Sequence, residues 1–136
     1  MVKIDVSYEG SLHCRLTHGP SGMEITTDAP KDNLGKGEAF SPTDLVAAAL
    51  ASCMLTTMGI VAQRRNIKLD SITAQVMKEM TSAPPRRIAK LPVTITMPKG
   101  ISAEERALLE RAAVSCPVHK SLNPEIEIPV KFDYLD

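Results

Sequence analysis

Two cysteines in unlike surroundings are the residues best able to do chemistry in this chain. Cys53 lies in the apolar run Leu45-Val46-Ala47-Ala48-Ala49-Leu50-Ala51-Ser52-Cys53-Met54, and Cys116 opens Cys116-Pro117-Val118-His119. A thiol in an apolar helix is normally an inert small hydrophobe, whereas the thiolate is a nucleophile and a metal ligand. A pair of thiols brought together can cycle between dithiol and disulfide. His119, three residues after Cys116, adds a second chemistry, a Cys53, Cys116 and His119 metal site. Zinc sites in small modules usually draw on two close pairs of ligands, and Cys53 has no neighbour of that kind. Cys14 alternates with Leu12 and Leu16 and reads as a packing residue.

Bulk composition narrows the function classes. The chain has 136 residues, a length suited to one domain spanning 1–136. Sixteen basic and sixteen acidic residues give zero formal net charge. With no long run of Lys or Arg there is no electrostatic footprint for nucleic acid. Two Tyr, two Phe and no Trp provide no stacking platform. The first residues, Met1-Val2-Lys3-Ile4-Asp5, lack the apolar core of a signal peptide, so a cytoplasmic location is expected. Three cysteines there do not form a structural disulfide framework. The uncharged stretch Leu45 to Ala62 approaches the length of a membrane span. Its alanines, with Ser52, Thr56 and Thr57, fit a soluble core helix better, and no membrane partner is expected.

The elements that must position the cysteines follow from periodicity and end signals. Val2, Ile4, Val6 and Tyr8 alternate with polar residues, Glu9-Gly10 turns the chain, and Leu12, Cys14 and Leu16 alternate with His13, Arg15 and Thr17. This is a hairpin with Cys14 facing in and Arg15 facing out. A short strand spans 23–27, and a polar, Gly-containing loop runs from Asp28 to Phe40. Ser41 as N-cap, Pro42 at the first helical position and Asp44 in a capping box start the cysteine helix. Arg64-Arg65 suits its negative end. Strands follow through Ile72 to Val76 and Leu91 to Met97, with Pro92 marking an edge or bulge. Ser102 and Glu105 cap a second helix whose inward stripe is Leu108, Leu109, Ala112, Ala113 and Cys116. A last strand carries Ile126 to Tyr134. The order is βββ-α-ββ-α-β, an α+β domain with largely antiparallel sheets around a long buried helix. That helix is apolar on every side, so a homodimer sharing one core is expected.

Tyr8-x-Gly10, Ser41-Pro42-Thr43-Asp44-Leu45-Val46-Ala47-Ala48-Ala49-Leu50-Ala51-Ser52-Cys53 and Ser115-Cys116-Pro117-Val118-His119 resemble the OsmC/Ohr family of osmotically induced and organic-hydroperoxide-resistance proteins. The resemblance covers nearly the whole chain. It implies an OsmC-like fold in an intertwined homodimer, and thiol-dependent peroxidase activity on organic hydroperoxides without metal, flavin or haem. By the same resemblance Cys53 is the peroxidatic cysteine and Cys116 the resolving one, joined by an intramolecular disulfide that a dithiol reductant, lipoyl-type or other, reopens. Characterised peroxidase members carry a Glu after the motif proline that orients a thiolate-stabilising Arg; this chain has Thr43 there, and Asp44 already serves as cap. Arg15 is the first candidate for the activating cation and Lys36 the second. A small-ligand-binding OsmC-like protein with weak or no peroxidase activity is the alternative.

Overall fold

The computed structural model describes residues 1–135. Its backbone divides into two compact units, 1–46 and 47–136.

The first unit is an antiparallel three-stranded sheet in the order β1-β2-β3, with β1 at Ile4–Tyr8, β2 at His13–His18 and β3 at Glu24–Asp28. The β1–β2 turn runs through Gly10, Ser11 and Leu12, all at positive φ; only Gly10 among them adopts that region without a Cβ penalty. Register sorts the side chains cleanly. Val6 pairs with Leu16 and Leu16 with Ile25, whereas Ser7 pairs with Arg15 and His13 with Asp28. One face is therefore apolar, carrying Ile4, Val6, Tyr8, Cys14, Leu16 and Ile25, and the other is polar. Cys14 lies on the apolar face, as expected, and is half-buried there, while Ile4, Val6, Tyr8 and Ile25 beside it are exposed within one protomer. The loop after β3 contains one 3-10 turn, Lys31–Asn33. It then opens α1, Pro42–Arg64. The capping box is formed: the Ser41 N–H donates to Asp44 Oδ2 at 2.9 Å, and the Asp44 N–H donates to Ser41 Oγ at 3.1 Å.

The second unit contains the rest of α1 and a sheet in the order β4-β7-β8, with β4 at Thr73–Val76, β7 at Val93–Met97 and β8 at Val130–Tyr134. β4 is antiparallel to β7, and β8 is parallel to it. Pro92 does more than mark a bulge. It separates β6, Ile88–Lys90, from β7, because it cannot donate to a ladder, and β6 pairs with the two-residue β5, Glu79–Met80, as a separate ribbon. α2, Ala103–Val114, starts from the expected Ser102–Glu105 capping box. A short α3, Pro117–Ser121, follows it. Strict alternation buries Val93, Ile95 and Met97 on one face of β7.

The buried set of α1 is Ala47, Leu50, Ala51, Met54, Met58 and Ala62, a single stripe at helical spacing. Within one protomer the opposite side is uncovered, with Ala49, Ser52, Thr56 and Ile60 exposed. By length and composition α1 could cross a membrane, and a third of its most apolar window is buried within the protomer.

Candidate thiol site

Cys53 and Cys116 both belong to the second unit, and the fold brings them together. Cys53 sits midway along α1, one residue before the fully buried Met54, and is half-buried. Cys116 is wholly buried, and both are free thiols. The expectation that Cys116 ends α2 is refined. α2 stops at Val114, and Cys116 is the N-cap of α3, its Sγ accepting the His119 backbone N–H at 3.4 Å. Pro117 at the first position fits that start, since its missing N–H would have no partner there. Burial pushes the Cys116 thiol above its ordinary pKa. The backbone N–H groups of His119 and Val118 oppose that shift, and a hydrogen bond and charge interaction with the Cys53 thiol add to it. That mutual interaction means the two sulfurs lie within reach of one another. Thr57, one turn along α1, places Oγ1 4.0 Å from Cys53 Sγ.

His119 contributes its backbone N–H to Cys116. Among the described residues no three His, Cys, Asp or Glu side chains are grouped so as to hold a metal ion.

Arg15 belongs to the first unit and points from the polar face of the sheet, as the alternation requires. Two carboxylates hold it: Nε donates to Glu9 Oε2 at 3.1 Å, and Nη1 lies 3.6 Å from Glu24 Oε1. The Glu9 hydrogen bond, then the charges of Glu9 and Glu24, keep its guanidinium protonated above the usual arginine range. Lys36 lines a cleft of about 450 Å³ with Glu9, Ser11, His13, Asp28 and Glu38.

That cleft contains a pair the sequence reading passed over. His13 Nδ1 is 2.6 Å from Asp28 Oδ1, and His13 Nε2 is 3.6 Å from Glu9 Oε1. Asp28, 7% exposed, also accepts the Glu38 N–H at 3.0 Å through Oδ2. The bond from His13 is the main cause that lowers the Asp28 carboxyl pKa, and the Glu38 N–H acts in the same sense against burial. The signal was present: period two puts His13 on the same polar face as Arg15, and Asp28 opens the long loop. Asp28 thus fastens that loop to the hairpin. The Ala29 N–H adds a bond to Leu12 O, and the Asp28 N–H one to Phe40 O.

Residues 35–131 match the OsmC-like protein family. The chain belongs to the OsmC-like family. A Psychrobacter arcticus 273-4 structure, named provisionally as an osmotic stress induced and detoxification response protein, is 43% identical; the match covers 97% of this chain and 96% of that one, with a TM-score of 0.91. Two further structures resemble the OsmC-like chain at lower identity. The Legionella pneumophila organic hydroperoxide resistance protein OsmC is 18% identical over 98% of this chain and 96% of its own, with a TM-score of 0.75. OhrB of Bacillus subtilis, an organic hydroperoxide resistance protein, is 21% identical over 98% of both chains, with a TM-score of 0.71. At those identities the likeness is one of fold. No curated protein sequence matches the chain.

Proposed function

We propose that this OsmC-like chain is a cysteine-based peroxidase that reduces organic hydroperoxides in oxidative-stress defence. The observation that carries the reading is the meeting of a half-buried Cys53 with a fully buried Cys116 through their thiols. Cys53, as thiolate, attacks the terminal peroxide oxygen; the O–O bond breaks, the alkoxide leaves as the alcohol after taking a proton, and Cys53 becomes a sulfenic acid. Cys116 then attacks the sulfenic sulfur, and the Cys53–Cys116 disulfide forms with loss of water. A dithiol returns both thiols and is itself oxidised to a disulfide. Metal, flavin and haem have no part in this cycle.

Arg15 is our first candidate for the cation that favours the Cys53 thiolate, with Lys36 second. Arg15 is held by the carboxylates of Glu9 and Glu24. The working unit is a homodimer, a reading supported by the uncovered apolar face of β1–β3 and by the uncovered strip Ala49, Ser52, Thr56 and Ile60 on α1.

The polar cleft with its His13–Asp28 pair favours a second reading, a small-ligand-binding member of the family with little turnover. Consumption of cumene hydroperoxide in the presence of a dithiol separates the two. Wild type should turn over, and Cys53→Ser should fall to the uncatalysed rate. Equal rates for the two proteins would reject the peroxidase.

A further inference from the structure

The two sulfurs of the pair differ in a way that assigns them different parts when the disulfide is reopened. Cys116 has no exposed surface within a single protomer, and assembly can only remove surface, so no partner subunit makes its sulfur reachable. Cys53, by contrast, is only half-buried. Thiol–disulfide exchange requires the incoming thiolate to approach one sulfur in line with the bond that breaks, so access decides which sulfur is attacked. Burial disfavours a thiolate at Cys116, and two backbone N–H groups partly offset that cost on departure. The Cys116 Sγ already accepts the His119 N–H at 3.4 Å, and the Val118 N–H supports the same charge.

We propose that the reducing dithiol attacks Cys53 alone and that Cys116 is always the leaving sulfur. This rests on Cys53 and Cys116 being the redox pair of the proposed function. One thiolate of the dithiol bonds to Cys53 Sγ, the Cys53–Cys116 bond breaks, and its electron pair leaves on Cys116. The Cys116 thiolate then takes a proton, as its burial favours. The second thiol of the reductant, as thiolate, attacks its own sulfur in the mixed disulfide. That releases the Cys53 thiolate and closes the reductant's disulfide. Electrons balance: one dithiol is oxidised and one protein disulfide is reduced.

The test uses the full chain carrying Cys14→Ser, oxidised with diamide so that it does not depend on peroxide chemistry. A peptide map first confirms the Cys53–Cys116 disulfide; if that bond does not form, the proposal falls. A brief pulse of 2-mercaptoethanol, an acid quench, alkylation and digestion then show which cysteine holds the mixed disulfide. The expected result is adduct on Cys53 and alkylated Cys116, in excess of the reverse by roughly tenfold or more, a bias that disappears when the same pulse is given in guanidinium. Adduct on Cys116, an even division, or an equal bias in the unfolded chain overturns the proposal. Hydroperoxide turnover without the Cys53 bias would reject this inference alone. A Cys53 bias without turnover would reject the peroxidase alone.

Discussion

Replacing Cys116 by Ser tests how much of the proposed cycle depends on the meeting of the two thiols. The exchange is nearly isosteric and keeps an acceptor for the His119 N–H, so the start of α3 should survive. The resolving nucleophile does not. In wild type it already interacts with Cys53, so the disulfide-forming step is intramolecular. Well-oriented intramolecular reactions reach effective molarities of about 10⁵ M; with four powers of ten lost to imperfect alignment, about 10 M remains, which exceeds an external thiol at about 1 mM by roughly 10⁴-fold. Burial holds Cys116 largely as thiol near neutral pH, but an external alkyl thiol is also mostly protonated there, so the ratio changes little. Wild type given one equivalent of cumene hydroperoxide should lose two of its three thiols in a thiol titration. Cys116→Ser should lose one of its remaining two, and its sulfenic acid should be trapped by dimedone and over-oxidise with excess peroxide. Steady-state turnover of the variant should also become first order in added thiol. Turnover of Cys116→Ser at the wild-type rate, or a wild-type loss of one thiol, would refute the reasoning.

Thr57→Val should slow alkylation of Cys53 by iodoacetamide more than Thr57→Ser does, since the hydroxyl that serine retains lies 4.0 Å from Sγ. The Asp28 pKa is lowered in the folded protein, so its contribution to stability is complete above the ordinary carboxylate pKa of about 4 and is lost as pH falls through the folded value. Asp28→Asn should therefore lower the melting temperature at neutral pH and flatten its fall toward acid, read by circular dichroism. Leu109→Ala empties a fully buried position of α2 and should cost about 2–5 kcal/mol in urea unfolding. A loss below about 1 kcal/mol would mean that the site collapses around the smaller side chain.

Local features were legible because their causes are local. The Ser41–Asp44 and Ser102–Glu105 caps are decided by side chains three residues apart, and the sorting of His13 and Arg15 from Cys14 and Leu16 follows from the pleat. The break at Pro92 was visible but its size was not, because whether a proline bulges a strand or ends it depends on the neighbouring ladder. The His13–Asp28 pair required the register of β2 on β3, which sequence periodicity does not specify.

By itself, the sequence determined an α+β chain with two capped helices, a hairpin with one polar face and two cysteines in motifs that resemble one family. Only the tertiary structure decided that Cys116 caps α3 rather than closing α2, and that Cys116 is wholly buried while Cys53 is half-buried. Apolar composition likewise did not say which stripe of α1 would be covered; that depended on which face its neighbours occupy. The physical reason is common to these cases. Capping and alternation are settled within a few residues, whereas burial and thiol contact are set by packing between segments far apart in the chain.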